Sequence, residues 1–119
     1  MDGRATMRIG ISGPVRITHT DGHAANGTAV DLSSGGLAFL SEVELTPGAL
    51  VELTFRLPGA ERSGPVTCLA EVSACLFYSS ARGFRIGTRF LNMSDGSRRH
   101  IRRLVSARGP REARAAAAV

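Results

Sequence analysis

The chain has 119 residues, with 15 arginines, no lysine and 10 acids for a formal charge of +5; 43% of it is apolar and 21% charged. That length supports one domain, and that balance belongs to a folded globular chain and not to a disordered one. No apolar run approaches the roughly 18 residues a membrane span needs, and Met1-Asp2-Gly3-Arg4 lacks a signal peptide's apolar segment, so a soluble, cytoplasmic protein is expected.

Residues 1–14 contain Gly3, Gly10, Gly13 and Pro14, which disfavour a helix, so they are expected to form a flexible, extended arm bearing Arg4 and Arg8. From Val15 to Phe90 the chain alternates with period two, the mark of strands with one face buried. The clearest sets are Val51, Leu53, Phe55 and Leu57; Val66, Cys68, Ala70, Val72, Ala74 and Leu76; and Phe84, Ile86, Thr88 and Phe90, with Arg85, Gly87 and Arg89 on the other face. Weaker stretches at 15–20, 28–32 and 37–40 bring the predicted strands to six. Asp21-Gly22, Gly35-Gly36, Pro47-Gly48, Pro58-Gly59, Gly64-Pro65 and Ser79 to Gly83 are the turn signals between them. Six short strands with hairpin-length connections favour an antiparallel β-barrel over 15–93, because closure removes exposed edges. After Phe90 the period changes. Ser94 or Asp95 can cap a helix in which Ile101, Leu104 and Val105 share a face, and Gly109-Pro110 is expected to stop it. The expected plan is an all-β core with a C-terminal helix at 94–108 and a mobile tail at 109–119.

Charge is not spread evenly. Residues 98–114 hold seven arginines and one acid, a net of +6, whereas the remaining 102 residues carry eight arginines and nine acids. The high charge thus belongs to the C-terminal segment. Cys68 and Cys75 are too few for a disulfide framework; on one strand they would lie about 23 Å apart on opposite faces, so they read as reduced packing residues. His19 and His23 would converge on a metal only in a helix, and the intervening Asp21-Gly22 signals a turn, so no metal site is expected.

Two motifs carry chemistry. In Arg4-x-x-x-Arg8, each guanidinium offers a planar fork that fits phosphate oxygens or the O6/N7 edge of guanine, and a flat face that stacks on a base. The alternative is solvated surface charge. In Asp31-Leu32-Ser33-Ser34-Gly35-Gly36, an extended backbone points Asp31 and Ser33 to one face and Val30 and Leu32 into the core. The glycines permit positive φ and close approach of a ligand. Here the alternative is a hairpin whose Asp31 and Ser33 only cap turn amides.

The two motifs together, at this spacing in a six-stranded domain with a terminal helix, resemble the PilZ family of cyclic di-GMP receptors. Arg4 and Arg8 match its RxxxR element; Asp31, Ser33 and Gly36 match its [D/N]xSxxG element. Leu37 to Leu40, Ala70-x-Val72 and Ile86 to Phe90 resemble its strand signatures. The resemblance implies a six-stranded β-barrel that binds cyclic di-GMP and performs no chemistry on it, with the ligand and no other cofactor. It implies phosphate and guanine contacts for Arg4 and Arg8. For Asp31 it implies acceptance from guanine N–H groups or orientation of an arginine, for Ser33 a neutral hydroxyl, and for Gly36 a floor clear of side chain. Gly3 stands where many members carry a further arginine, which bears on how many stacked nucleotides are held. On this analogy the arm changes conformation on binding and presents a surface to a downstream protein partner. A PilZ-like adaptor that does not bind the nucleotide is one alternative. Another is a nucleic-acid-binding barrel, against which stand the absence of Trp and the presence of one Tyr and five mostly inward Phe. No GxSxG elbow, P-loop, Cys/His pairing or paired carboxylates suggest an enzyme.

Overall fold

The computed structural model describes residues 7–59 and 64–118, with side chains described for all of these except Ala81 and 109–118. Seven strands and one long helix follow in the order β1 (Arg8–Gly10), β2 (Pro14–His19), β3 (Ala24–Ser33), β4 (Leu37–Ser41), β5 (Leu50–Phe55), β6 (Val66–Tyr78), β7 (Gly83–Asn92) and α1 (Asp95–Ala118). Every strand pairing is antiparallel. The sheet runs β3-β2-β5-β6-β7-β4 and closes because β4 returns to β3, giving a six-stranded barrel with β1 as an extra strand on β3.

The alternation identified in the sequence supplies the core, except in the second half of β6. There a register shift between Val72 and Ala74 leaves the expected core residues Ala74 and Leu76 exposed and packs Cys75, expected on the face opposite Cys68, against the core. Val51, Leu53 and Phe55 of β5, Val66, Cys68, Ala70 and Val72 of β6, and Ile86 and Phe90 of β7 point inward, and Phe55 and Phe90 stack with centroids 6.2 Å apart. Each fully buried aliphatic side chain stabilises the fold by about 1.5–3 kcal/mol relative to exposure. Cys68 and Cys75 are free thiols, and burial pushes the Cys68 thiol up to about 12. His19 and His23 flank the β2–β3 turn, in which His23 accepts a backbone bond from His19 at 2.7 Å and donates its own amide to Asp21.

The structure revises the N-terminal arm. From Arg8 onward it is not a free segment: Arg8–Gly10 pairs with Asp31–Ser33, and Ile9 is fully buried. β1 and β2 lie along the same edge of β3, interrupted at Gly13, whose φ of +118° is open chiefly to glycine. The short β1 escaped prediction because a single core residue between two exposed ones, Arg8 and Gly10, shows no period.

The C-terminal helix is also longer than the sequence implied. Ser94 caps it, its Oγ accepting the Ser97 amide at 3.1 Å, and Ile101 and Val105 enter the core. The helix runs through Gly109-Pro110 to Ala118. Proline inside a helix costs about 3 kcal/mol, but its φ is already helical and the flanking Ala and Arg are strong helix formers. No helix among the described residues is long and apolar enough to cross a membrane.

Candidate functional site

The Asp31–Gly36 motif begins inside β3 and ends at the start of β4. Opposite β4 the register of β3 shifts between Ala29 and Asp31, so Val30 is an extra residue in a bulge. The bulge resets the alternation: Ala29 and Leu32 are buried, Val30 is only half-buried, and Ser33 is buried at 5% exposure. The expected division, with Val30 inward and Ser33 exposed beside Asp31, does not hold.

Ser33 is a turn cap. Its Oγ accepts the amides of Gly35 at 3.2 Å and Gly36 at 3.1 Å, while its own amide donates to the Gly36 carbonyl at 2.9 Å. Neither Gly35 nor Gly36 has a positive φ. Gly36 is glycine for another reason: a Cβ there would lie 1.9 Å from the Thr88 carbonyl oxygen, so the neighbour it accommodates is β7. The Gly35 carbonyl accepts the Phe90 amide at 2.8 Å, and Thr88 donates its hydroxyl to Leu37 at 2.7 Å. The turn is thereby fastened to the barrel.

Asp31, two residues before Ser33 on the same strand, is reached by two guanidinium groups. Arg8 Nη1 donates to Oδ1 at 3.2 Å and Arg85 Nη2 to Oδ2 at 2.7 Å. The side chain of Arg8 is 63% exposed, that of Arg85 32% and that of Asp31 19%. Strand pairing explains the first contact, since Arg8 lies opposite Ser33 and Gly10 opposite Asp31. The second joins residues 54 positions apart. A shallow cleft of about 290 Å³ opens beside them, lined by Arg8, Ser33, Gly35, Gly36, Ser73, Gly87, Thr88 and Arg89 among others. Arg89 is paired with Glu71. Of the charged side chains only two arginines, Arg8 and Arg89, line the cleft, each ion-paired to a carboxylate outside that lining, a surface suited to an anion.

The structure brings Arg8, Asp31, Ser33 and Gly36 together; Arg4 lies outside the described residues. From the sequence, Arg85 and Arg89 read as charge on the outer barrel surface, with a secondary phosphate contact as the alternative for either; the structure sets Arg85 on Asp31 and Arg89 in the lining of the cleft. Nothing local in the sequence marks that this face of β7 lies near Asp31. A larger groove of about 630 Å³ runs between Gly10–Ser12, the end of β5 and Arg108 of α1, and contains none of the Asp31–Gly36 motif. Among the described residues no group of three or more His, Cys, Asp or Glu is placed to hold a metal ion.

Comparison with known proteins agrees with this geometry. The inhibitor of motility MotI/DgrA of Bacillus subtilis superposes with a TM-score of 0.74 at 17% identity, over 91% of this chain and 54% of that one. The PilZ domain of Escherichia coli YcgR, solved with c-di-GMP, gives 0.64 at 22% identity over 98% of both chains. The K. pneumonia MrkH–c-di-GMP complex gives 0.67 at 18% identity over 87% of this chain and 51% of that one. The chain thus spans about half the length of MotI/DgrA and MrkH. At these identities the likeness is one of fold. No curated protein matches the chain at a significant level. The PilZ domain family model matches residues 2–107. With that match over nearly the whole length and a closed six-stranded barrel, the chain belongs to the PilZ domain family.

Proposed function

We propose that this protein is a cytoplasmic receptor for cyclic di-GMP that binds the dinucleotide without reacting with it and signals to a protein partner. The observation that carries the reading is the Arg8 guanidinium held by Asp31 beside the Ser33–Gly36 turn. Cyclic di-GMP presents two phosphates and two guanines. Arg8 is largely exposed, and a surface ion pair such as Arg8–Asp31 is worth only about 0–1 kcal/mol. Transfer of that guanidinium to a ligand phosphate or guanine edge therefore costs little and gains a charge-assisted bond. Arg4 is the second guanidinium of this reading. Asp31 accepts from guanine N–H donors, its repulsion toward phosphate offset by the arginines around it. Ser33 and Gly36 act through the backbone, fixing the turn against which the ligand lies. The cleft is at the small end for a ligand site, so part of the dinucleotide lies outside it, beneath the arm. The YcgR and MrkH structures with c-di-GMP support the choice of ligand.

Calorimetric titration with cyclic di-GMP, GTP and cyclic GMP tests the reading. The expected result is saturable binding of the dinucleotide at least about 100-fold tighter than of either mononucleotide, because only it spans both arginines. Equal affinities for all three, or no heat from any, would overturn it.

A further inference from the structure

We infer that Arg85, which belongs to neither motif, is the positioning residue that holds Asp31 as the guanine-reading acceptor; the inference rests on the receptor function proposed for this site. Asp31, Ala38 and Gly87 form one cross-strand row over β3, β4 and β7, and Leu40 and Arg85 form the row two residues along on the same face. Ala38 and Gly87 are small, so the long side chain of Arg85 can cross between the rows to Asp31 Oδ2, at 2.7 Å. Its strand is hydrogen-bonded on both sides, by β4 and β6, whereas Arg8 comes from three-residue β1 at the margin of the sheet. The arginine on the rigid strand is the shorter and less exposed contact; the one on the arm is the longer and more exposed.

That asymmetry divides the labour. A carboxylate only accepts, and with about four lone-pair sites it can serve two arginines and still take the paired N1–H and N2–H donors of guanine. When Arg8 moves to the ligand, Arg85 keeps Asp31 oriented and neutralises it beside the phosphates. Adenine has no such pair of donors, so an aligned Asp31 discriminates against it by leaving buried acceptors unmatched. Arg85 thereby sets base preference without touching the ligand.

The test is calorimetry on the full chain with cyclic di-GMP and cyclic di-AMP, using wild type, Arg85→Met, Arg85→Lys, Asp31→Asn and the Asp31→Asn/Arg85→Met pair, all checked for folding by circular dichroism. Arg85→Met is expected to weaken cyclic di-GMP binding about tenfold or more and to reduce the guanine-over-adenine preference by a similar factor. Arg85→Lys is expected to recover part of both. In the Asp31→Asn background, Arg85→Met is expected to change affinity by less than about threefold. An unchanged base preference in Arg85→Met, or an undiminished loss in the Asp31→Asn background, would overturn the inference, the second showing direct contact with the ligand. Low-temperature arginine Nη–H NMR of the ligand-free protein, which reads the Nη2 group bonded to Asp31, separates this from failure of the receptor reading. A sharp, slowly exchanging Arg85 signal lost in Asp31→Asn is expected whether or not the wild type binds, and its persistence in that variant sinks the inference alone.

Discussion

A methyl group at residue 36 would stand 1.9 Å from the Thr88 carbonyl oxygen, while one at residue 35 meets nothing within 4 Å. Two adjacent glycines that look alike in sequence are therefore under different constraints. Gly36→Ala is expected to cost about 2–3 kcal/mol in urea unfolding, because β7 must give way, and Gly35→Ala about 0.5 kcal/mol or less. Similar costs for both would contradict the close approach seen here. At this scale the sequence was legible in chemistry and less so in role. The Asp31, Ser33 and Gly36 pattern marked the correct place, but only the coordinates separate Asp31, which meets arginines, from Ser33 and Gly36, which build the turn. Arg85 and Asp31 lie 54 positions apart and meet across β4, a juxtaposition no local pattern encodes.

Among the elements, period two located the six barrel strands because each has one face in the core, and it failed where the period breaks. The bulge at Val30 inverts the inward set within β3, and the three residues of β1 are too few to alternate. The helix was identified from Ile101, Leu104 and Val105, but its end was misplaced because a Gly-Pro stop is a preference that neighbouring helix formers override. The location of β1 has a dynamic consequence. Ile9 is buried and the Ile11 amide bonds to the Val30 carbonyl at 3.1 Å, while Arg108 donates to the Gly10 carbonyl at 3.0 Å. Residues 9–11 are thus part of the sheet before ligand arrives. In hydrogen exchange, cyclic di-GMP is expected to slow residues 3–7 by about tenfold or more and residues 8–11 by less than about threefold. Exchange over 3–7 that ligand leaves unchanged would remove the proposed arm rearrangement.

For the whole molecule, closure of the barrel turns sequence-distant motifs into one surface. β3 is the shared partner of β1, β2 and β4, so it carries Asp31 to Arg8 on one edge and toward β7 on the other. The fold class was readable from six alternating segments and their turns. The register that creates the site was not, since it depends on pairings among strands far apart in the chain. Charge follows the same division. The net +6 of residues 98–114 lies on the helix segment, while the site depends on a few arginines set against Asp31 and Glu71.

Isothermal titration of cyclic di-GMP into wild type, Arg8→Ala and Arg4→Ala tests the central claim most directly. Each alanine variant is expected to keep the fold and to bind at least about 30-fold more weakly, a loss of about 2 kcal/mol. Wild-type affinity in both variants would contradict the account, because the dinucleotide would then be held by something other than the guanidinium groups of the arm.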